Sequence, residues 1–304
     1  MLQFSTPAIL IRRTEYGDYD LIVTFFSLTL GKVSLMAKAA KKSTRRFAGL
    51  LELFTELDIV GSVGRKSGLP VLQEATLRHP HSEIREAATK TAYASYWSEL
   101  VNDWMEERVE SAELFLLLRH VLDALAASGP PEAALSVLFQ MRLLRISGHS
   151  PNLTRCVVCR LDLDSIRPEA LGIEIAQGGI ACPGCLPSTA EPHRLSKGTV
   201  KQLLWVAGGD LARAARIKFS PRALRESQEF LESFVPYHLG RQPRESDVVR
   251  EQGHGDGDQR EGRRRGQAAA GLGAGGRLAA RPGARRAAPA PRRARRRSSG
   301  VPPK

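Results

Sequence analysis

Gly31-Lys32-Val33-Ser34-Leu35-Met36-Ala37-Lys38 is the stretch on which the fold turns. Val33, Leu35 and Ala37 alternate with Lys32, Ser34, Met36 and Lys38. Successive side chains of a strand point to opposite faces, so this period of two marks a strand with one face buried. Residues 8–13, 21–27, 51–60 and 71–78 share its character, being short and rich in β-branched and apolar side chains. Tyr16-Gly17-Asp18, Leu30-Gly31 and the glycine-containing loop 61–70 separate them as turns. Strands spaced by roughly 10 to 15 residues predict a small barrel or sandwich over residues 1–80. A five-stranded Greek-key barrel, the OB-fold, fits the count and the length. An SH3-like barrel fits the periodicity as well.

Beyond that stretch the period becomes helical. Ser82 with Glu83 and Glu86 reads as a helix start, with acids in the first turn. Tyr93, Tyr96, Trp97, Leu100, Val101 and Trp104 form one apolar stripe. Leu114, Leu117, Leu118, Val121, Leu122 and Leu125 form a second, closed by Ser128-Gly129-Pro130. Pro131 opens a third with Leu135, Leu138, Phe139 and Leu143. Such stripes must bury one another, which predicts a helical bundle over 81–148. Residues 149–195 are irregular and hold every cysteine. Helical patterning returns over 196–246, where these helices are expected to complete the bundle. The fold class expected is therefore α+β and multidomain: a barrel, then a bundle interrupted by a cysteine module.

The net charge of +13 invites a polyanion-binding reading, but most of the excess lies at one end. Residues 251–304 carry 13 Arg and one Lys against four acids, or +10, leaving +3 for the other 250 residues. A nucleic-acid site in the folded body must therefore be a local patch. The segment 247–304 is dominated by Gly, Ala, Arg and Pro, cannot bury enough apolar area to offset its ordering entropy, and is expected to be disordered. Arg12, Arg13, Glu15, Asp18 and Asp20 interrupt any apolar core of a secretory signal, and no apolar run is long enough to span a bilayer. A cytoplasmic protein with no membrane attachment is expected.

In a reducing compartment the four cysteines read as metal ligands more readily than as disulfides. Cys156-Val157-Val158-Cys159 and Cys182-Pro183-Gly184-Cys185 are each Cys-x-x-Cys. Two residues between thiolates let one tight turn place both sulfurs on one ion, and two such turns complete a closed tetrahedral site. One structural Zn2+ is expected on Cys156, Cys159, Cys182 and Cys185, with no open position for catalysis. His149 and His193 flank the module but are surplus to a filled site. His79 and His81 read as surface or capping residues.

Lys38, Lys41, Lys42, Arg45 and Arg46 lie directly after the third strand, and Arg12, Arg13, Lys32, Arg65 and Lys66 are further basic candidates in the barrel. An OB-fold holds single strands in a basic groove with aromatic stacking, for which Tyr19, Phe25, Phe26 and Phe47 are the available aromatics. Phosphate contacts from these residues would be sequence-independent and salt-sensitive. No Ser-His-Asp or P-loop signal is found, so no enzyme is expected. A zinc-stabilised RNA- or ribosome-binding protein would use the same features.

The order of several short segments adds what chemistry alone does not. Thr6-Pro7-Ala8-Ile9-Leu10 through Tyr16-Gly17-Asp18-Tyr19-Asp20, Phe26-Ser27 to Gly31-Lys32 and Ala37-Lys38, and Gly148-His149-Ser150-Pro151-Asn152-Leu153 before Cys156 resemble the RecO family of bacterial repair proteins. Gly178-Gly179 before Cys182, and His238-Leu239-Gly240-Arg241 before Ser246, are similar as well. The resemblance covers about residues 1–246. Two departures stand out: Ala39 and Arg160 occupy positions where that family usually or often has glycine. The resemblance implies a DNA repair and recombination mediator that binds single- and double-stranded DNA and anneals complementary strands. It implies work with RecR to load RecA on DNA coated by single-strand-binding protein, at the nucleoid. It also implies that the acidic tail of single-strand-binding protein docks on the helical part, for which Arg119, Arg142 and Arg145 are candidates.

Overall fold

The alternation in the N-terminal strands is realised as a closed sheet. In the computed structural model, residues 2–43, 45–64, 68–167, 170–186 and 194–239 are described. Arg65, Lys66, His193 and the tail expected to be disordered at 247–304 lie outside them. Strands β1 (Leu2–Tyr16), β2 (Asp20–Ser27), β3 (Gly31–Ala37), β4 (Glu56–Val63) and β5 (Val71–His79) join in the order β1-β2-β3-β5-β4. Strand β4 pairs back onto β1, so the sheet closes as a barrel. Every pairing is antiparallel except β3 with β5, which meet in parallel at Met36 and Val71.

Two limits differ from the sequence expectation. Strand β1 begins near the chain start because Leu2 to Ile9 find partners on β4. Strand β4 begins at Glu56, because Phe54 takes φ 71 and breaks the extended run.

Alternation in β1 and β2 feeds two cores. Ala8, Leu10, Val23 and Phe25 fill the barrel with Val33, Leu35, Leu57, Ile59 and Leu72. Their neighbours Ile9, Ile11 and Phe26 point outward and join Phe54 in the core of the helices. A β-bulge lies between the pairs Leu10–Phe25 and Arg12–Thr24, with Ile11 as the extra residue.

The helices are α1 (Ser82–Arg85), α2 (Ala88–Trp104), α3 (Ala112–Ala126), α4 (Glu132–Ile146), α5 (Lys197–Ala207), α6 (Leu211–Ala214) and α7 (Pro221–Leu239). Helix α4 packs against α2, α3, α5 and α7 and is buried on every side from Ala134 to Leu144. A helix that is covered all round belongs at the centre of a bundle. Its polar side chains are therefore used internally. The Trp97 indole N–H donates to Ser136 Oγ at 3.3 Å, and Tyr96 donates to Gln140 at 2.9 Å. Arg142 is 6% exposed and donates to the carbonyls of Val206, Gly208 and Gly209. It thus satisfies the free carbonyls at the end of α5. This corrects the expectation that Arg142 is free to receive an acidic peptide. Arg145 pairs with Glu113, and Arg119 lies 3.9 Å from the buried Glu56 carboxylate.

Between α4 and α5, strands β6 (Ala170–Glu174), β7 (Gly179–Ala181) and β8 (Arg194–Ser196) form a small sheet in the order β7-β6-β8. Leu153, Ile166, Leu171, Ile180 and Leu195 from this segment join the same core as the helices. Among the described residues, no helix is long and apolar enough to cross a membrane.

The link from α2 to α3 lies along β3, where Arg108 N–H donates to the Lys32 carbonyl at 2.8 Å. Gly31 makes this approach feasible: its φ is +63, and a Cβ there would collide with the Val109 carbonyl. Gly31→Ala should therefore cost about 2 kcal/mol or more, combining left-handed strain with a backbone clash. Denaturant unfolding of the variant checks this, and a midpoint equal to wild type would contradict it.

Candidate nucleic-acid interface and metal centre

The segment after β3 is short, basic and firmly tied down. Residues Ala40–Lys42 form one 3-10 turn, entered through Ala39 at φ 54. Ala39 N–H donates to Asp20 Oδ1 at 2.7 Å, and Lys41 N–H to the Tyr19 carbonyl at 3.0 Å. The turn is thereby held to the β1–β2 hairpin. Ser43 Oγ accepts from Arg46 N–H at 3.0 Å and Phe47 N–H at 3.2 Å. Phe47 is buried among the barrel's core residues and anchors the far end.

On this frame Lys38, Lys41, Lys42, Arg45 and Arg46 are all exposed. Lys42 Nζ stands 3.3 Å from the centre of the Tyr19 ring, and the Arg46 guanidinium 4.5 Å from that of Phe47. Such cation–π contacts orient a charge while leaving it in water. Lys41 pairs with Glu15 at 2.8 Å, a hydrogen bond and charge that hold the Glu15 carboxyl below its ordinary range. Arg12 is exposed on β1. Lys32 is drawn away from this group, since its ammonium donates to the Asn102 carbonyl at 2.6 Å in the last turn of α2. That is the favourable place for a cation at a helix C-terminus.

Of the aromatics considered for stacking, Phe25, Phe26 and Phe47 are buried, so only Tyr19, 46% exposed, is open to a base. Tyr16, 54% exposed, lies on the same hairpin and was not singled out from the sequence. Its signal was an aromatic on each side of the Gly17 turn, outside any apolar alternation.

The four cysteines converge. Cys156 and Cys159 lie on a tight turn whose Arg160 N–H donates to the Cys156 carbonyl at 3.0 Å. Cys182 follows β7 directly, and Cys185 N–H donates to its carbonyl at 2.9 Å. All four Sγ atoms lie within 4.8 Å of one another, so this group could hold a metal ion. Cys159 and Cys182 sulfurs are 3.7 Å apart. Four bonds of 2.3 Å in a tetrahedron give an edge of about 3.8 Å, so the spacing fits one thiophilic ion. Burial opposes ionisation of Cys156, but N–H donors from Cys159, Cys182 and Val158 outweigh it and hold the thiol down to about 6. The Cys182 N–H to Cys156 Sγ contact is 3.4 Å. The donor set is thus four soft sulfurs with backbone N–H groups turned toward one of them, which suits a thiolate–metal centre.

With this geometry in hand, the chain can be set beside known proteins. The family model described as Recombination protein O N terminal matches residues 1–81, and Recombination protein O C terminal matches 85–247. The chain is 43% identical over 241 residues to the DNA repair protein RecO of Desulfatibacillum aliphaticivorans, covering 79% of this chain and 93% of that one. The protein of that name from Desulfosudis oleivorans is also 43% identical over 241 residues, covering 78% and 93%. That from Syntrophus aciditrophicus is 33% identical over 248 residues, covering 81% and 95%.

The two departures from the glycine pattern fall where the backbone is left-handed: Ala39 has φ 54 and Arg160 has φ 65. A Cβ is unfavourable there, whereas glycine takes this conformation freely. Ala39→Gly and Arg160→Gly should each raise stability by about 0.5–1 kcal/mol, the relieved strain less the extra entropy of an unfolded glycine. Thermal unfolding with both sites compared to wild type tests this, and a fall in midpoint would contradict it.

Proposed function

The chain belongs to the RecO family, and from that premise we propose that it is a non-enzymatic mediator of DNA repair and homologous recombination. One observation carries the reading: the family match spans barrel and helices alike, and the barrel bears a clamped basic loop beside an exposed tyrosine hairpin. In this reading the barrel over residues 1–80 is an OB-fold. Lys38, Lys41, Lys42, Arg45 and Arg46, joined by Arg12, Arg65 and Lys66, contact phosphates, while Tyr19 and Tyr16 offer faces to unpaired bases. Charge from such residues neutralises both strands of a complementary pair and so favours annealing. Lys32 has no part in it, because its ammonium closes α2.

The metal centre supplies shape. One Zn2+ on Cys156, Cys159, Cys182 and Cys185 ties the irregular segment after α4 to β7, and performs no chemistry because four thiolates leave no open position. Helices α1 to α4 and α5 to α7 form the second body, and the segment between α4 and α5 the inserted zinc module. This body takes RecR and the acidic tail of single-strand-binding protein as partners, and the protein acts in the cytoplasm at the nucleoid, where it helps place RecA on coated DNA.

Two experiments bear on this. The first truncates the chain after Arg250 and measures binding to fluorescent single-stranded DNA across a salt series, with annealing of complementary strands alongside. The truncated protein should bind and anneal. Changing Lys38, Lys41, Lys42, Arg45 and Arg46 to Ala in it should abolish annealing and flatten the log–log salt slope by roughly 3 to 4. Binding that disappears with the tail and ignores the five substitutions would overturn the barrel reading. Tighter binding to structured RNA at matched salt would instead favour an RNA-binding role. The second replaces Cys182 with Ser. The variant should lose one equivalent of zinc and unfold at lower temperature, by metal analysis and calorimetry. Unchanged zinc content would contradict the assignment.

A further inference from the structure

We propose that His79, His81 and Asp123 form a second metal site, for one divalent ion of the zinc, cobalt or nickel class, where the barrel meets the helices. Their ligand atoms all lie within 4.8 Å of one another. His81 is completely buried, contrary to a surface reading; it stands at the N-cap of α1, as a capping residue would, but its ring makes no cap hydrogen bond. Its Nδ1 is 2.8 Å from the Phe54 carbonyl, and its Nε2 is 2.8 Å from Asp123 Oδ1.

These two contacts constrain the chemistry. A carbonyl oxygen only accepts, so Nδ1 carries a hydrogen and donates it. In the neutral ring Nε2 then presents a lone pair to a carboxylate oxygen, so the 2.8 Å contact holds a proton between the two. A tetrahedral ion bonded to both at about 2.0 Å would hold them about 3.3 Å apart, so its entry displaces that proton with a small opening of the pair. A backbone carbonyl on the other ring nitrogen is the arrangement that fixes and orients metal-bound histidines.

His79 is the observation that points to a metal. It is the last residue of β5, and a bulge puts Arg78 between the pairs Glu56–His79 and Leu57–Leu77. The bulge sets the His79 ring against His81, with centroids 4.8 Å apart and planes at 29°. A proton shared by His81 and Asp123 needs no second imidazole, whereas a metal ion gains a third ligand from it. Two imidazoles and a carboxylate are the donor set of borderline divalent ions, distinct from the four sulfurs of the cysteine centre. Asp123 is half-exposed and His79 is exposed, so a fourth position is open to water. The nearby guanidinium groups are already engaged: Arg78 bonds Asp58 at 2.6 Å, and both it and Arg119 lie 3.9 Å from Glu56. Because His79 and His81 lie at the exit of the barrel and Asp123 on α3, the ion would staple one to the other.

The site stands apart from the DNA-binding reading and is tested without DNA. The full chain is brought to equilibrium dialysis against low free zinc and its bound metal counted, with thermal unfolding measured with and without the ion. Two ions per chain are expected for wild type. His79→Asn alters an exposed ligand and leaves the core intact; it should bind one ion and lose only the part of the zinc-dependent gain in midpoint that the second ion adds by binding the native state. Asp123→Asn should behave likewise, and both should keep the thiolate-to-cobalt absorption of the cysteine centre. One ion in wild type would mean that His81 and Asp123 share only a proton, and would overturn the proposal. Two ions in His79→Asn would place the second elsewhere and overturn it equally.

Discussion

Strands β1 and β2 lie between two hydrophobic cores, and the rest of the molecule is arranged around that fact. Leu10 and Phe25 face into the barrel, while Ile9, Ile11 and Phe26 face out and are covered by helices. A strand buried on both faces cannot slip by one residue without moving apolar side chains from one core to the other, although both faces stay apolar. Register is therefore held by the Ile11 bulge and by the short turns at each end. Phe26 meets Phe115 of α3 with ring centres 6.3 Å apart, so aromatic packing carries the barrel directly onto the bundle.

That attachment fixes which barrel surface remains free. The face of β1 and β2 toward the helices is covered, and the α2–α3 link lies along β3. The hairpin at Tyr16–Asp20 and the basic turn after Ala37 carry exposed side chains. The Lys42 and Arg46 charges lie against rings and Lys41 pairs with Glu15, and exposed ion pairs are worth little in water. An ordered, hydrated cluster of cations loses little on meeting a phosphate backbone, which is the property the proposed DNA-binding role needs. The same logic separates the two ends of the chain: the excess of +10 beyond residue 250 lies in low-complexity sequence, whereas the barrel's charges are presented by a fold.

Much of this was legible in the sequence. Alternation in β3 and the three helical stripes placed β2, β3, β5 and the main helices, because periodicity reports the buried face directly, while β1 begins earlier and β4 later than the pattern implied. The cysteine spacing predicted the convergence of all four sulfurs. What was hidden depends on contacts distant along the chain. Phe25 and Phe26 are adjacent and both buried, which alternation cannot anticipate when a strand has a core on each side. Lys32 and Arg142 read as surface charges, yet each ends on carbonyls at a helix C-terminus about 70 and 65 residues away. His81 read as a surface or capping residue, since nothing local announces Asp123 across the seam. Ala39 and Arg160 were visible only as departures from a family's glycines, and the left-handed backbone gives those departures their physical meaning.

The central claim is that a folded surface of the barrel, and not the basic tail, meets the nucleic acid. Hydrogen–deuterium exchange of the full chain with and without single-stranded DNA tests it most directly, because it reports each segment in one sample. The account predicts slower exchange on DNA binding at the Tyr16–Asp20 hairpin and over residues 38–47, with the α4 core unchanged. Protection confined to residues beyond 246, with the hairpin and the basic turn exchanging as in the free protein, would contradict it.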